Sequence, residues 1–300
     1  MDQFRRVGLI GRKGSPQVAE TLVALAGFLR ARGNTVVLES EAAALVAGET
    51  LVDLPVCHRE ALGKHCDLVV VVGGDGSMLG AARTLSTQGV PVLGINRGSL
   101  GFLTDISPDE IETRVAEVLS GRYTREERFL LETELVRAGE VIARGDALNE
   151  VVLHRGASLR MIEFALYLDN RFVYSQHSDG LVISTPTGST AYALSGGGPI
   201  LHPALDAIAL VPMFPHTLTS RPIVVAGDSG IRIALGGMGL DDMRVGQPEL
   251  SCDGQMHVAL QVGDVVHIRK KPDRLQLIHP LDHDYYDTCR TKLGWGSRLA

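Results

Sequence analysis

Two groups of residues in this chain have types and spacing suited to chemistry. The first is Gly73-Gly74-Asp75-Gly76-Ser77, one carboxylate enclosed by three glycines. Glycine has no Cβ, so the chain can turn sharply and a ligand can come close to the backbone. Backbone N–H groups in such a turn suit phosphate, and Gly74, Gly76 and Ser77 are the candidates to hold it. Asp75 is placed where an anion would bind, as an acceptor for a hydroxyl proton or as a metal ligand. Short glycine motifs are also common as tight solvated turns. The second group runs from Ser178-Asp179-Gly180 through Thr185-Pro186-Thr187-Gly188-Ser189-Thr190-Ala191-Tyr192 to Ser195-Gly196-Gly197-Gly198. Hydroxyls and glycines at this density suit a polar ligand lying against backbone. Asp179 can accept from ribose hydroxyls or an amide, and Tyr192 offers a ring to a planar base.

These groups need elements to position them. Residues 69–72 are four valines, a run without polar alternation, as expected of a strand buried on both faces of a parallel sheet. The residues after Gly76 suit a helix. Val7-Gly8-Leu9-Ile10 reads as a first strand, and it leads into the basic, glycine-containing loop Gly11-Arg12-Lys13-Gly14. Ser15-Pro16 then opens a helix that Gly33 ends. Thr35–Leu38 is a second strand, Asp67–Val72 a third and Pro91–Ile95 a fourth, with helical segments between them. Strands alternating with helices predict a doubly wound parallel sheet, whose ligands sit beyond the carboxyl ends of the strands. The Asp75 turn lies at such an end, as does Asn96-Arg97-Gly98-Ser99-Leu100-Gly101-Phe102-Leu103-Thr104-Asp105. Arg97 is of the type to neutralise a phosphate or to form a surface ion pair. Phe102 suits either a base or the core. No GxGxxG follows the first strand, and no GxxxxGK[ST] occurs, so neither a nicotinamide dehydrogenase nor a P-loop enzyme fits.

Ser107-Pro108 opens a further helix that ends near Gly121, and the pattern then changes. Residues 130–136, 162–168, 172–174, 231–235, 248–252, 257–261 and 265–268 favour strands. Asp169-Asn170-Arg171, Asp253-Gly254 and Gly263-Asp264 supply turns. Asn149-Glu150 reads as following a turn at Gly145-Asp146, and Arg269-Lys270-Lys271 as a strand end. The second half is therefore mainly antiparallel β, with a boundary between residues 105 and 128.

Composition bounds the function. The chain has 300 residues, 45% apolar and 21% charged, ordinary for a globular protein with a sizeable core. Its net charge of −6 argues against nucleic acid or an anionic membrane as a main partner. No apolar run is long enough to span a bilayer and no signal-peptide pattern begins the chain, so a cytoplasmic location is expected. Cys57, Cys66, Cys252 and Cys289 are scattered without paired spacing. They read as free thiols of a reducing compartment, and on the same grounds zinc is not expected.

Taken together, these stretches resemble the NAD kinase family, bacterial type. The resemblance is carried by Gly73-Gly74-Asp75-Gly76-Ser77, residues 96–103, Leu148-Asn149-Glu150, and Asp179-Gly180 through Tyr192. It continues in Phe214-Pro215-His216-Thr217-Leu218 with Arg221-Pro222-Ile223, in Cys252-Asp253-Gly254-Gln255, and in the closing Thr291-Lys292-Leu293-Gly294-Trp295. The glycine turn alone is shared with diacylglycerol kinase and phosphofructokinase relatives, whereas residues 185–192 are far more specific. Gly196 stands where the family often has Ala, and His177 where related bacterial enzymes often have Arg.

The resemblance implies an α/β plus β fold: a doubly wound, Rossmann-like α/β domain over residues 1–125, a mainly antiparallel β domain over 126–275, and a tail, 276–300, returning to the first domain. It implies transfer of the γ-phosphoryl group of ATP to the 2′-hydroxyl of the adenosine ribose of NAD; for that reaction Asp75 is the candidate proton acceptor, and because a carboxylate repels triphosphate, Mg²⁺ or another divalent ion should bridge them. It assigns NAD binding to Asp75, Gly76, Asn149, Glu150, Arg160, His177, Asp179, Thr187, Thr190, Ala191, Tyr192, Ala193, Leu194, Ser195 and Gln255. It also implies a homo-oligomer, a dimer or tetramer. A lipid kinase would share the Asp75 turn but needs a basic or apolar membrane face. A non-enzymatic dinucleotide-binding regulator would keep Tyr192 without needing Asp75.

Overall fold

The computed structural model describes residues 3–12, 15–47, 53–98, 101–156, 161–236 and 247–295. They form two compact units, Met1–Glu127 with Arg274–Ala300, and Arg128–Asp273.

In the first unit, strands β1 (Arg6–Gly11), β2 (Thr35–Glu39), β3 (Val56–Cys57), β4 (Leu68–Gly73) and β5 (Val92–Asn96) pair in parallel in the order β3-β2-β1-β4-β5. β3 went unread in the sequence because it is two residues long and half exposed, too short to carry a hydrophobic period. Helices α1 (Pro16–Ala31), α2 (Ser40–Leu45), α3 (Leu62–His65), α4 (Asp75–Leu85) and α5 (Ile111–Leu119) connect the strands or follow them. Alternate strand residues bury on opposite faces. Val7, Leu9, Val36, Leu38, Leu68, Val70, Val72 and Ile95 pack with Leu22, Leu25 and Leu29 of α1 and Val115 and Val118 of α5. On the other face, a Cβ at Gly8 would lie 3.0 Å from Leu62 and from Cys66, and one at Gly94 3.0 Å from Met78. Both faces of the sheet are therefore covered, which is why β4 needs no polar alternation and all its residues are buried.

The second unit packs two antiparallel layers around one core. Strands β6 (Tyr123–Arg137, shared with the first unit), β7 (Glu140–Ala147), β8 (Glu150–His154), β9 (Ile162–Leu168), β10 (Arg171–Ser178) and β11 (Gly180–Ser184) lead to the short helix α6 (Tyr192–Ser195). Then come β12 (Ala207–Met213), β13 (Ile223–Ala226), β14 (Ile231–Leu235), β15 (Glu249–Cys252), β16 (Met256–Ala259) and the long β17 (Val265–Pro280). One layer runs β13-β12-β11-β8-β15-β16; β10, β9, β14 and the first half of β17 form the other. Val151, Leu153, Leu181 and Ile183 face the core between them, with Phe164, Leu166, Ile233 and Val266 opposite. The intervening Val152 and Val182 face outward onto Ala193 of α6.

Two sequence expectations are corrected here. Gly145-Asp146 is no turn but lies within β7, where Gly145 pairs with Thr133 and Asp146 with Glu132. A Cβ at Gly145 would meet Met256 at 2.6 Å, so the glycine serves close packing instead of a bend. Likewise Arg269-Lys270-Lys271 falls inside β17, not at a strand end, because its charges are matched: Arg269 to Glu132, Lys270 to Asp206 and Lys271 to Asp146.

Past these lysines β17 enters the first unit. There Leu277 and Ile278 pair in parallel with Val92 and Leu93 of β5, and α7 (Tyr285–Leu293) follows. Asp284 caps α7 by accepting from the N–H groups of Tyr286 and Asp287. The chain's end is thus part of the first unit's sheet.

Gly94 meets the loop after β5 with no room to spare. A Cβ there would lie 2.4 Å from the Leu103 carbonyl oxygen and 2.9 Å from Thr104 Cα, both backbone atoms. Gly94→Ala should lower unfolding free energy by ~1–3 kcal/mol in urea titration, the usual cost of overpacking. A midpoint matching the parent's would contradict this packing.

Candidate active site

Asp75 is the first residue of α4, after a Gly74 cap. Negative charge at a helix N-terminus is favourable, and the carboxylate is tied further. Its Oδ2 accepts from the N–H of Phe102 at 2.9 Å. Its Oδ1 accepts from the N–H of Leu103 at 3.0 Å and from the Thr104 hydroxyl at 3.3 Å. The donors sit on the second glycine loop, which leaves β5 and returns beside it, with Asn96 donating its N–H to Ile106. A Cβ at Gly101 would lie 2.1 Å from Asp75 Oδ1, so no larger residue fits there without moving the carboxylate. Of the four lone-pair directions of a carboxylate, three are used, and one on Oδ2 remains for a ligand.

Beside it is a cavity of about 360 Å³ lined by Gly73, Gly74, Asp75, Ser77, Asn96 and Arg97, with Arg12 from the loop after β1 and Lys292 from the last turn of α7. Three cations around one carboxylate suit an anion of several charges. Gly74 and Ser77 line the cavity. The Ser77 N–H donates to the Gly74 carbonyl at 2.9 Å, so its hydroxyl, buried with no hydrogen-bond partner, is the group left for a ligand. Gly76 lies beside Arg12, whose guanidinium would be 3.8 Å from a Cβ there. Ser99 and Leu100 lie outside the described residues. Lys292 was missed as a site residue because it lies far along the sequence, and only the tail's return to β5 brings it back.

The second unit has its own cavity, of about 560 Å³, lined by Glu150, Asp179 and Tyr192 among the expected residues and by His154, Arg155, Phe214 and Asp253 besides. Arg155 pairs with Asp179 at 3.3 Å, and the Asp179 N–H donates to the Met213 carbonyl. Tyr192 is 45% exposed, so its ring is open to a ligand. Asp253 adopts φ 51° at the β15–β16 turn, a conformation aspartate tolerates, and its carboxylate accepts from the N–H groups of Leu148, Asn149 and Glu150. Asp253 therefore fixes the segment that carries two expected binding residues. The Asp-Gly turn was legible in the sequence; this second duty was not.

Glu150 is 8% exposed, and its Oε2 has no hydrogen-bond partner. Burial and the nearby Asp253 charge push its carboxyl up to about 8, against the N–H of Tyr192, which favours the ionised form.

The hydroxyl run behaves differently from its appearance. The Thr185 hydroxyl donates to the Leu148 carbonyl and accepts from the Gly188 N–H. That of Ser189 donates to the Pro186 carbonyl and accepts from the Leu201 N–H. That of Ser184 donates to the Thr185 carbonyl. All three side chains are buried, so they build the turn. Thr187 is buried and accepts from Arg128, Thr190 donates to the Thr187 carbonyl, and Ala193 is core. Ala191 and Leu194 are half-buried beside them, and Ser195 is exposed. Asn149 is half-buried behind this turn: its carbonyl accepts from Thr185, and a Cβ at Gly188 would meet that oxygen at 2.2 Å. His177 lies exposed on β10, 3.6 Å from Glu163, and Gln255 is exposed at the β15–β16 turn; neither lines the cavity. Arg160 lies outside the described residues.

Comparison with known proteins bears on the chain as a whole. The ATP-NAD kinase N-terminal domain matches residues 7–123 and the ATP-NAD kinase C-terminal domain residues 148–280. An NAD kinase of Azotobacter vinelandii is 63% identical over 300 residues, covering 100% of this chain and 99% of that protein. One of Ectopseudomonas mendocina is 60% identical over the same spans. Among solved structures, yeast NADH kinase complexed with NADH superposes with a TM-score of 0.89 at 27% identity, over 99% of this chain and 89% of that one. An NAD kinase from Archaeoglobus fulgidus in complex with ATP shares the fold, with a TM-score of 0.67 at 22% identity over 96% and 97%. The family models and the full-length relatives define the class, an ATP-dependent phosphotransferase acting on NAD. The chain belongs to the ATP-NAD kinase family.

The raised Glu150 carboxyl has a consequence for stability. Folded chains keep a proton that unfolded chains release once pH passes the ordinary carboxyl value. Burial therefore costs stability increasingly from there up to the folded value near 8. Glu150→Gln has no proton to lose. Its melting temperature relative to the parent should rise between about pH 5 and about pH 9. A difference constant with pH would mean Glu150 is ionised as readily folded as unfolded.

Proposed function

We propose that the chain transfers the γ-phosphoryl group of ATP to the 2′-hydroxyl of the adenosine ribose of NAD, forming NADP, and that Asp75 receives the hydroxyl proton. The observation that carries this is the Asp75 carboxylate: held by three donors, with one lone pair of Oδ2 left, at the edge of a cavity lined by Arg12, Arg97 and Lys292. Phosphoryl transfer asks for placement and charge neutralisation more than for covalent chemistry. A carboxylate that cannot swing away accepts a hydrogen bond from the attacking hydroxyl and then its proton, as a general base does. The three cations offset triphosphate charge, and the unpartnered Ser77 hydroxyl donates to a phosphate oxygen.

Magnesium takes oxygen ligands, keeps several waters and relies on one or two carboxylates plus substrate phosphates. Asp75 is the one carboxylate lining the cavity among the described residues, and its single free Oδ2 direction would take either the ion or the substrate hydroxyl, so with the hydroxyl in place the ion would be held by the substrate phosphates and water. When bound with ATP, the ion would neutralise charge on the phosphates.

The division of labour follows the two units. The α/β unit supplies Asp75 and the phosphate cavity; the β unit supplies the dinucleotide grip. Tyr192 stacks on a base, Asp179 with Arg155 and the buried Oε2 of Glu150 take polar groups, and Asn149 is held in place by Asp253. The buried hydroxyls shape the turn that presents Tyr192, and Thr187, Ala193 and Leu194 contribute through that shape. A cytosolic homo-oligomer completes the proposal. The four cysteines are free, and no helix of the described residues is long and apolar enough to cross a membrane.

Asp75→Asn should lower kcat for NADP formation by orders of magnitude with little change in the KM for NAD. Asn also turns a donor toward the donors of the 102–104 loop, so a stability loss of ~1–3 kcal/mol should accompany it. Near-normal turnover would remove Asp75 from the base role. Tyr192→Ala should raise the KM for NAD more than it lowers kcat; an unchanged KM would sink the stacking assignment. Assays with a diacylglycerol acceptor alongside NAD test the lipid-kinase alternative, and the expected outcome is phosphorylation of NAD alone.

A further inference from the structure

Asp105 follows directly on the loop that grips Asp75, yet lines no part of the phosphate cavity. Its Oδ2 lies 2.9 Å from Nδ1 of His279 and 2.9 Å from Nδ1 of His283. The two imidazoles stack with centroids 4.0 Å apart and planes at 17°. The three ligand atoms all lie within 4.8 Å of one another. Side-chain exposure is 1% for His279, 7% for His283 and 12% for Asp105. We propose that Asp105, His279 and His283 form a binding site for a zinc-class divalent cation that joins the returning tail to the Asp75 loop.

Hydrogen bonding alone leaves this cluster poorly satisfied. One carboxylate oxygen serves both rings, while Asp105 Oδ1 and His279 Nε2 are buried with no hydrogen bond. A buried acceptor without a partner costs ~1–3 kcal/mol. A cation removes the mismatch. With bonds of about 2.0–2.1 Å, the edge between two tetrahedral ligands is roughly 3.3 Å. The two 2.9 Å edges need to open by only a few tenths of an ångström and the third lies within 4.8 Å, but the two imidazoles must turn out of their stack for their in-plane Nδ1 lone pairs to converge on the ion. Asp105 Oδ1 or a water would take the fourth position, and His279 would then aim its Nε2–H at Glu126, whose Oε2 is 3.7 Å away. That outer carboxylate is the usual orienting partner of a metal-bound imidazole. Charge also balances, since two positive charges meet Asp105 and Glu126.

The donor set names the metal class. Two imidazoles with one carboxylate favour zinc or a neighbouring transition ion over magnesium, which prefers oxygen throughout. The site is therefore separate in chemistry from the ion that accompanies ATP. Counting cysteines could not find it, because its ligands are His and Asp. Two of them lie four positions apart across the Pro280-Leu281-Asp282 turn, where the His283 N–H donates to the Pro280 carbonyl.

The test uses the untagged full-length protein, stripped with EDTA and dialysed, with excess magnesium present and no nucleotide. Cobalt(II) is added while visible absorption is recorded, then zinc, with metal content and melting temperature measured after gel filtration. The proposal expects one cobalt per chain with the absorption of a low-symmetry tetrahedral site, displaced by one equivalent of zinc, and a melting temperature raised by zinc. His283→Asn, which keeps a small polar group at the turn, should fold and lose the absorption, whereas Asp75→Asn should keep it. No cobalt absorption in the parent, or absorption unchanged in folded His283→Asn, overturns the proposal. In the latter case the ion belongs elsewhere, with the more exposed His154, Glu249 and His257 the group to examine.

Discussion

The constraint on which the α/β unit's chemistry depends is the attachment of the Asp75 carboxylate to the loop after β5. A carboxylate at a helix N-terminus beside a phosphate cavity is exposed to two competing demands. Phosphate charge repels it, and cations lining the cavity attract it. Two backbone N–H groups and one hydroxyl resolve the conflict by fixing it from behind. Backbone donors are effective here because they cannot rotate away, and hydrogen bonds to a charged acceptor are stronger than neutral ones. The loop must lie close for this to work, and glycine at 94 and at 101 is what lets it. The first keeps β5 clear of the Leu103 carbonyl, the second keeps the loop clear of the carboxylate itself.

A comparable arrangement recurs in the β unit with a different acceptor. Asp253 gathers three consecutive backbone N–H groups, from Leu148 to Glu150, where the chain enters β8. Asn149 in turn receives the Thr185 N–H on its carbonyl, and Gly188 packs against that same carbonyl. The buried hydroxyls of Ser184, Thr185 and Ser189 close the remaining backbone groups of the turn. The result is a rigid platform from which Tyr192 projects with nearly half its surface open.

Sequence pattern gave access to these features unevenly, for physical reasons. The all-valine strand, the glycine turn and the alternation of strands and helices report local constraints, since burial on both faces and turn conformation are written in adjacent residues. The Asp169-Asn170 hairpin was legible for the same reason, both residues taking positive φ. Gly145-Asp146 misled because glycine serves close packing as well as turns, and only the side chain across the sheet, Met256, tells the two apart. The lysines of β17 misled because a charged strand interior is tolerated once each charge has a partner, and the partners Asp206 and Asp146 are distant in sequence. The hydroxyl run is denser in ligand-type groups than it is in free ones, because the hydroxyls of Ser184, Thr185 and Ser189 pair with backbone inside the turn. Lys292 and the Asp105–His279–His283 cluster were beyond reach of any local pattern, because both depend on the tail pairing beside β5.

That pairing explains how an acidic chain accommodates an anionic ligand. A net charge of −6 disfavours polyanions in general, but screening in physiological salt limits charge effects to roughly 8 Å. What a phosphate in the proposed site would meet is the local set: Arg12 after β1, Arg97 after β5 and Lys292 from α7. Two of these three follow strands that flank β4, and the third arrives because β17 joins the same sheet parallel to β5. A parallel strand at that edge sends the chain on toward the carboxyl ends of its neighbours, the side on which the Asp75 turn lies. The direction of one strand therefore sets the charge of the site, and the acidic residues that keep the whole chain negative can lie anywhere else without opposing it.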